Sequence, residues 1–263
     1  MIGRLETYGQ WLAQDPAGFA VFMVYLAATV LLSLILHECA HGWTALLSGD
    51  PTAKMMGRLT LNPAKHLDPI GTVCMFLLGF GWAKPVPVNP RNFRNPRRDD
   101  FLVSIAGITV NMTLFVLCTA LSVLGLRLMM GGELYAMNAG SLPEKQNLYE
   151  VMRDLLAYGG ASLPAELTGY MAAPWLQYAL RFLVMLQQIN LTLAIFNLLP
   201  IPPLDGYRLL NNALRGRLRM SRQTYQVIRV GMLLLFLTGW LGRGLSVLTG
   251  ALDTAVTRLF LLI

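Results

Sequence analysis

The sequence predicts an all-α membrane protein, a polytopic helical bundle that carries a re-entrant or edge-strand element at about residues 66–90. Composition is the first reason: 55% of the 263 residues are hydrophobic and 13% are charged, against roughly 45–50% and 25% in soluble domains. That balance argues against a soluble globular enzyme. The second reason is the distribution of apolar runs, at about 17–36 (continuing as helix to about 48), 101–128, 175–201 and 226–248. A helix of about 20 residues spans the hydrocarbon core. The third is charge: 21 Lys+Arg against 14 Asp+Glu give +7, and most cations sit in polar segments beside the apolar runs. Basic residues so placed report topology rather than nucleic-acid binding.

The first run begins near Ala17 with no small-residue cleavage pattern after it, so it reads as a retained span and not a signal peptide. The run at 69–83 contains Gly71, Gly79 and Gly81 and is too short for an ordinary span, which suits a re-entrant element. Lys54, Arg58 and Lys65 precede it and Lys84, Arg91, Arg94, Arg97 and Arg98 follow, placing both flanks in the cytoplasm. Segment 129–174 has only Lys145 and Arg153 among its cations and reads as external, whereas 206–224 has Arg208, Arg215, Arg217, Arg219 and Arg222 and reads as cytoplasmic. The ends of the first and fourth runs then share the cytoplasmic side. A last apolar stretch, Leu245 to Ile263, is interrupted by Asp253 and Arg258. Cys39, Cys74 and Cys118 lie in apolar stretches without C-x-x-C spacing and read as buried hydrophobes. Without repeats or a low-complexity linker, residues 1–263 read as one domain, with a core at about 17–210 and C-terminal helices at 226–263.

The first run ends in His37-Glu38-Cys39-Ala40-His41, an H-E-x-x-H pattern that uses two of the chain's three histidines. Residues four apart share a helix face, so both imidazoles can reach one Zn²⁺, with Glu38 beside that face as a base. Ionisable groups within an apolar helix are expensive and usually functional. A catalytic zinc takes three protein ligands and keeps a fourth position open. The third candidate is Asp205, in Asn197-Leu-Leu-Pro200-Ile-Pro202-Pro203-Leu-Asp205-Gly206, where prolines end the helix and hold a carboxylate on broken backbone. A turn-capping aspartate is the bland alternative, and Glu150, with the E-x-x-x-D spacing to Asp154, is a rival ligand on the segment read as external.

Between these elements runs Lys84-Pro85-Val86-Pro87-Val88-Asn89-Pro90, whose prolines enforce an extended course. Prolines at alternate positions point their missing donors one way, leaving the other edge able to receive an extended peptide, or else the segment is a proline-stiffened loop. His66 reads as a turn or interfacial histidine, with metal ligation as the functional alternative. Asn111, inside the run at 101–128, reads as interhelical glue or as a polar group near the site.

Assembled, these residues resemble the site-2 protease family of intramembrane zinc metalloproteases, in its short bacterial and archaeal branch. The resemblance runs from about 25 to 240 and rests on HECAH at 37–41, GRLTLNPAKHLDP at 57–69, FGWAKPVPVNPRNFRNPRR at 80–98 and FNLLPIPPLDGYR at 196–208. It implies His37, His41 and Asp205 as ligands of one Zn²⁺ per chain, Glu38 as catalytic base and Asn111 as a polar helper. The peptide substrate would then come from a transmembrane helix, and Pro85, Val86, Pro87, Val88, Asn89 and His66 are the candidate residues to contact it. The setting it implies is the lipid bilayer of a bacterial or archaeal cell membrane; the charge distribution places the active site toward the cytoplasm and argues against a nucleic-acid partner. One departure is visible: the family commonly has Gly-Pro-x-x-Asn where this chain has Gly107-Ile108-Thr109-Val110-Asn111.

Overall fold

The computed structural model describes residues 2–69, 71–72, 83–218 and 220–262, and among them secondary structure is helical, with one isolated antiparallel bridge between Leu67 and Ala83. The helices are α1 (Ile2–Gln14), α2 (Pro16–Leu47), α3 (Thr52–Met55), α4 (Pro96–Met130), α5 (Gly132–Asn138), α6 (Leu142–Tyr158), α7 (Ala165–Thr168), α8 (Leu176–Leu198), α9 (Asp205–Ala213), α10 (Arg222–Leu237) and α11 (Trp240–Leu261). Four stretches among the described residues are long and apolar enough to cross a membrane: Pro16–Leu47, Pro96–Met130, Leu176–Leu198 and Leu241–Leu261. The protein is therefore an integral membrane protein of the all-α class.

The element boundaries have local causes. Asp15 precedes α2 and its carboxylate accepts from the Gly18 N–H at 2.8 Å, taking one of the donors that a helix start leaves unpaired. Gly49, with φ of +106°, turns the chain out of α2 in a conformation other residues resist. The absence of proline at Ile108 lets α4 run as one helix through the position where the related pattern carries it. The apolar run expected at 226–248 is two helices, because Gly239, at φ +79°, breaks it between α10 and α11. Of the expected re-entrant element, residues 70 and 73–82 lie outside the described residues. Its start is a helical turn at Pro69 capped by Asp68, whose Oδ1 accepts from Gly71 N–H at 2.8 Å.

The chain divides into two compact units. One comprises Leu31–Met112 and Leu191–Leu248 and contains every residue of the H-E-x-x-H and Leu-Asp-Gly segments. Its buried core includes Ala45, Phe93 and Val103, with Val88 packed against them. The other comprises Ile2–Val30, Thr113–Asn190 and Thr249–Ile263. There, Tyr8 and Trp11 of α1 stack at edges and tilts on Phe19 and Phe22 of α2, with ring centroids 5.0–6.1 Å apart. Arg181, 2% exposed, donates to the Leu156 carbonyl at 2.6 Å and the Ala161 carbonyl at 3.1 Å, so a buried cation closes the C-terminal end of α6.

Candidate metal centre

The four-residue spacing on α2 stacks the two imidazoles, with ring centroids 4.7 Å apart. His41 Nδ1 lies 2.6 Å from the Val103 carbonyl of α4. A carbonyl accepts only, so Nδ1 of the neutral ring carries the proton and Nε2 is left with a lone pair. Gly107, one turn further along α4, faces His37: a Cβ there would lie 2.4–2.6 Å from three atoms of the imidazole. Only a residue without a side chain lets the helices approach this closely at that point.

Asp205 is delivered from the other direction. Pro200, Pro202 and Pro203 follow the end of α8, and Asp205 is the first residue of α9. Gly206 makes this possible, since a Cβ there would meet the carbonyl atoms of Leu198 and Leu199 at 2.2–2.5 Å. Asp205 Oδ2 stands 3.2 Å from His37 Nε2 and 3.1 Å from His41 Nε2, and the two Nε2 atoms are 3.1 Å apart.

This triangle fits a zinc ion. Ligands of a tetrahedral zinc at about 2.0–2.1 Å are separated by roughly 3.3 Å, close to the three edges found here. Asp205 Oδ2 is buried without a hydrogen bond of acceptable geometry, the mark of an atom that lacks its natural partner. Among the described residues, His37, His41 and Asp205 are the group of ligand atoms able to hold a metal. Glu150 belongs to no such group; its carboxylate accepts from Gln146 Nε2 at 2.7 Å on the same face of α6.

Glu38 stands next to the triangle on α2, and its Oε2 accepts from the Val86 backbone N–H at 2.7 Å. Val86 sits on the extended segment 84–89, which is fixed at both ends. Lys84 N–H donates to the His66 carbonyl at 2.8 Å, and Arg58 Nη2 donates to the carbonyls of Lys84 (2.7 Å) and Pro85 (3.2 Å). At the far end the buried Asp50 carboxylate accepts from Asn89 N–H at 2.7 Å and Asn92 Nδ2 at 2.8 Å. Burial raises the Asp50 carboxyl, but hydrogen bonds from Thr52, Asn89 and Asn92 prevail and leave it below its usual value.

A cavity of about 390 Å³ opens onto these groups, with Pro85, Val86 and Val88 on one wall and Leu193, Phe196 and Leu204 on another. The expected substrate segment is thus brought to the cavity at Pro85, Val86 and Val88, while Pro87 and Asn89 are not among the lining residues. The expectation of an unengaged edge needs correcting at two donors, since Lys84 and Val86 spend their N–H groups on His66 and Glu38. His66 does not line the cavity: it is 1% exposed, and its Nε2 lies 2.8 Å from the Thr60 carbonyl, so it organises the loop that precedes the segment. Asn111 is fully buried one turn beyond Gly107, with neither side-chain polar atom hydrogen-bonded among the described residues. Sequence reasoning passed over Gly107, Asp50, Arg58 and the Val103 carbonyl. Gly107 was the one with a local signal, a small residue inside an apolar helix.

Comparison with known proteins adds to this geometry. The sequence model of Peptidase family M50 matches residues 25–238. YwhC of Bacillus subtilis (strain 168), which bears the name of a candidate zinc metalloprotease, is 40% identical over 190 residues, 72% of this chain and 69% of its own. Rip2 of Mycobacterium tuberculosis (strain H37Rv), named in the same way, is 31% identical over 244 residues, 88% of this chain and 76% of its own. No solved structure matches the chain.

Proposed function

We propose that this chain, which belongs to Peptidase family M50 and is a zinc metalloendopeptidase of the membrane, cuts peptide bonds in or near the transmembrane helices of other membrane proteins, as in regulated intramembrane proteolysis. The observation that carries this reading is the position of the metal-capable triangle: two of its three members lie on α2, a helix built to cross a bilayer. The basic segments around 54–65, 84–98 and 208–222 support a site facing the cytoplasm of a bacterial or archaeal cell. The family match takes in residues of both compact units, which supports one functional domain.

In this reading His37, His41 and Asp205 hold one zinc ion. Bound there, zinc supplies Lewis acidity, polarising a carbonyl and lowering the pKa of a water to about 7. Glu38 takes a proton from the attacking water and delivers it to the amide nitrogen as the C–N bond breaks. The Val86 N–H holds Oε2 of Glu38, and in this reading the other oxygen takes that proton. The lining residues Pro85, Val86 and Val88 contact the substrate backbone and side chains, keeping a stretch of helix unwound. Asn111 serves as the polar helper from α4.

The test is a purified, reconstituted enzyme given a panel of membrane-helix substrates, with Glu38→Gln and chelator-treated protein as controls. Cleavage within or beside the helices by the wild type alone supports the reading. Cleavage confined to soluble peptides would contradict it.

A further inference from the structure

Arg208 is the cation among the cavity's lining residues, and the metal chemistry leaves it without a task. It follows Asp205 by three positions on α9, so the two side chains lie on neighbouring turns of one face. Its nearest acid is Asp100, and that contact is loose: Nη2 to Oδ1 is 3.9 Å, beyond hydrogen-bonding reach. Asn212 claims the other oxygen of Asp100 at 3.0 Å and the Arg97 carbonyl at 2.9 Å, tying α9 to the start of α4. Arg208 is thereby held only loosely by Asp100, and its side chain stays 39% exposed.

We propose that Arg208 selects an acidic side chain on the substrate within about two residues of the scissile bond. The inference rests on the cavity being the place of cleavage. An extended peptide advances about 3.3 Å per residue, so a guanidinium one helical turn from Asp205 reaches the first or second residue beside the cut. Of the charged lining residues, Glu38 and Asp205 belong to the metal chemistry, which leaves Arg208 as the charged group facing the rest of the cavity. The rest of the wall is largely apolar (Leu34, Leu193, Phe196 and Leu204), which favours a closer carboxylate for a guanidinium held only loosely by Asp100. The planar guanidinium accepts that carboxylate through two parallel hydrogen bonds.

The experiment uses the full-length enzyme in phosphatidylcholine vesicles and one cleaved substrate, varied as Glu, Gln or Lys at each of the three positions on either side of the cut. The wild type should show one position where kcat/KM falls from Glu to Gln to Lys, by roughly ten- to a hundredfold overall. Arg208→Gln should flatten that order and Arg208→Glu should reverse it, with zinc content measured to confirm each variant is intact. The wild-type series alone decides the matter if a variant misfolds. A flat wild-type series overturns the proposal, as does a preference that Arg208→Glu leaves in place. So does a flat series accompanied by strong activation when phosphatidylglycerol is added, which would give Arg208 to lipid phosphate. Charge selection on soluble peptides, with no cleavage of membrane helices, would uphold Arg208 and remove the intramembrane reading. No cleavage of any substrate would remove both.

Discussion

Around Gln187 the buried polar groups satisfy one another; around Asp205 they do not. In the first cluster, Tyr149 donates to Gln187 Oε1 at 2.8 Å with Ser122 2.7 Å from its hydroxyl, Gln187 Nε2 donates to Asp253 at 2.7 Å, and Arg153 closes the chain on Asp253 at 2.6 Å. Each group there complements its neighbour, so nothing further is required. In the second, a carboxylate oxygen and two imidazole nitrogens crowd within 3.1–3.2 Å, and one of those nitrogens is already committed to its lone-pair form by the Val103 carbonyl. A buried carboxylate oxygen facing the lone pair of an imidazole is a set of groups that a cation would complete. Both clusters draw residues from apolar helices, Ser122 and Gln187 in one and His37 and His41 in the other, so the presence of polar residues alone does not distinguish glue from a site. The pairing of donors with acceptors does.

That contrast can be broken by substitution, and the largest effects belong to the unsatisfied cluster. His37→Ala and His41→Ala should lose both zinc and cleavage, whereas Glu38→Gln should lose roughly 10²–10⁴-fold in rate with zinc retained; metal analysis beside a cleavage assay separates them. Val86→Pro removes the donor to Glu38. A hydrogen bond to a charged group is worth about 1.5–3 kcal/mol, so kcat should fall roughly ten- to a hundredfold at near-normal zinc content, and an unchanged kcat would deny Val86 that role. Gly107→Ala pushes a methyl group into His37 and should weaken zinc binding, at a cost of about 1–3 kcal/mol for overpacking, read by competition with a chelator.

Smaller effects are expected where groups are already paired. Asp50→Ala leaves the donors of Thr52, Asn89 and Asn92 without their acceptor and should cost about 1–3 kcal/mol, seen as a lower unfolding temperature. Because the folded carboxyl sits below its usual value, the stability it contributes is complete above the ordinary carboxylate range. It is lost as the pH falls through that range and the depressed value beneath it, so the gap between wild type and Asp50→Ala should narrow in acid. Tyr149→Phe in the satisfied cluster should cost about 0.6–1.7 kcal/mol and leave zinc untouched. Loss of zinc in Tyr149→Phe would erase the distinction between the clusters.

The legible parts of this molecule were those with short-range causes. Apolar runs announced α2, α4 and α8, and the i, i+4 spacing announced the two imidazoles, because helical periodicity alone stacks them. The break at Gly239 escaped notice because a single glycine in an apolar stretch does not reveal the sign of φ. Helix α1 has no counterpart among the apolar runs, because its apolar residues are interrupted by polar ones. At the site, the Val103 carbonyl, the Gly107 approach and the Asp50 clamp escaped for a common reason. Each is a contact across 39 to 70 positions, made by backbone atoms or by the lack of a side chain, and no local pattern encodes it.

The claim on which the rest depends is that Asp205, 164 positions beyond His41 in sequence, completes the metal triangle. Zinc affinity measured by chelator competition on wild type, Asp205→Asn and Glu150→Gln tests it directly. Removing the carboxylate charge while keeping its shape should weaken binding by at least roughly a hundredfold, and Glu150→Gln should bind zinc as the wild type does. Wild-type affinity in Asp205→Asn, with loss in Glu150→Gln, would contradict the account.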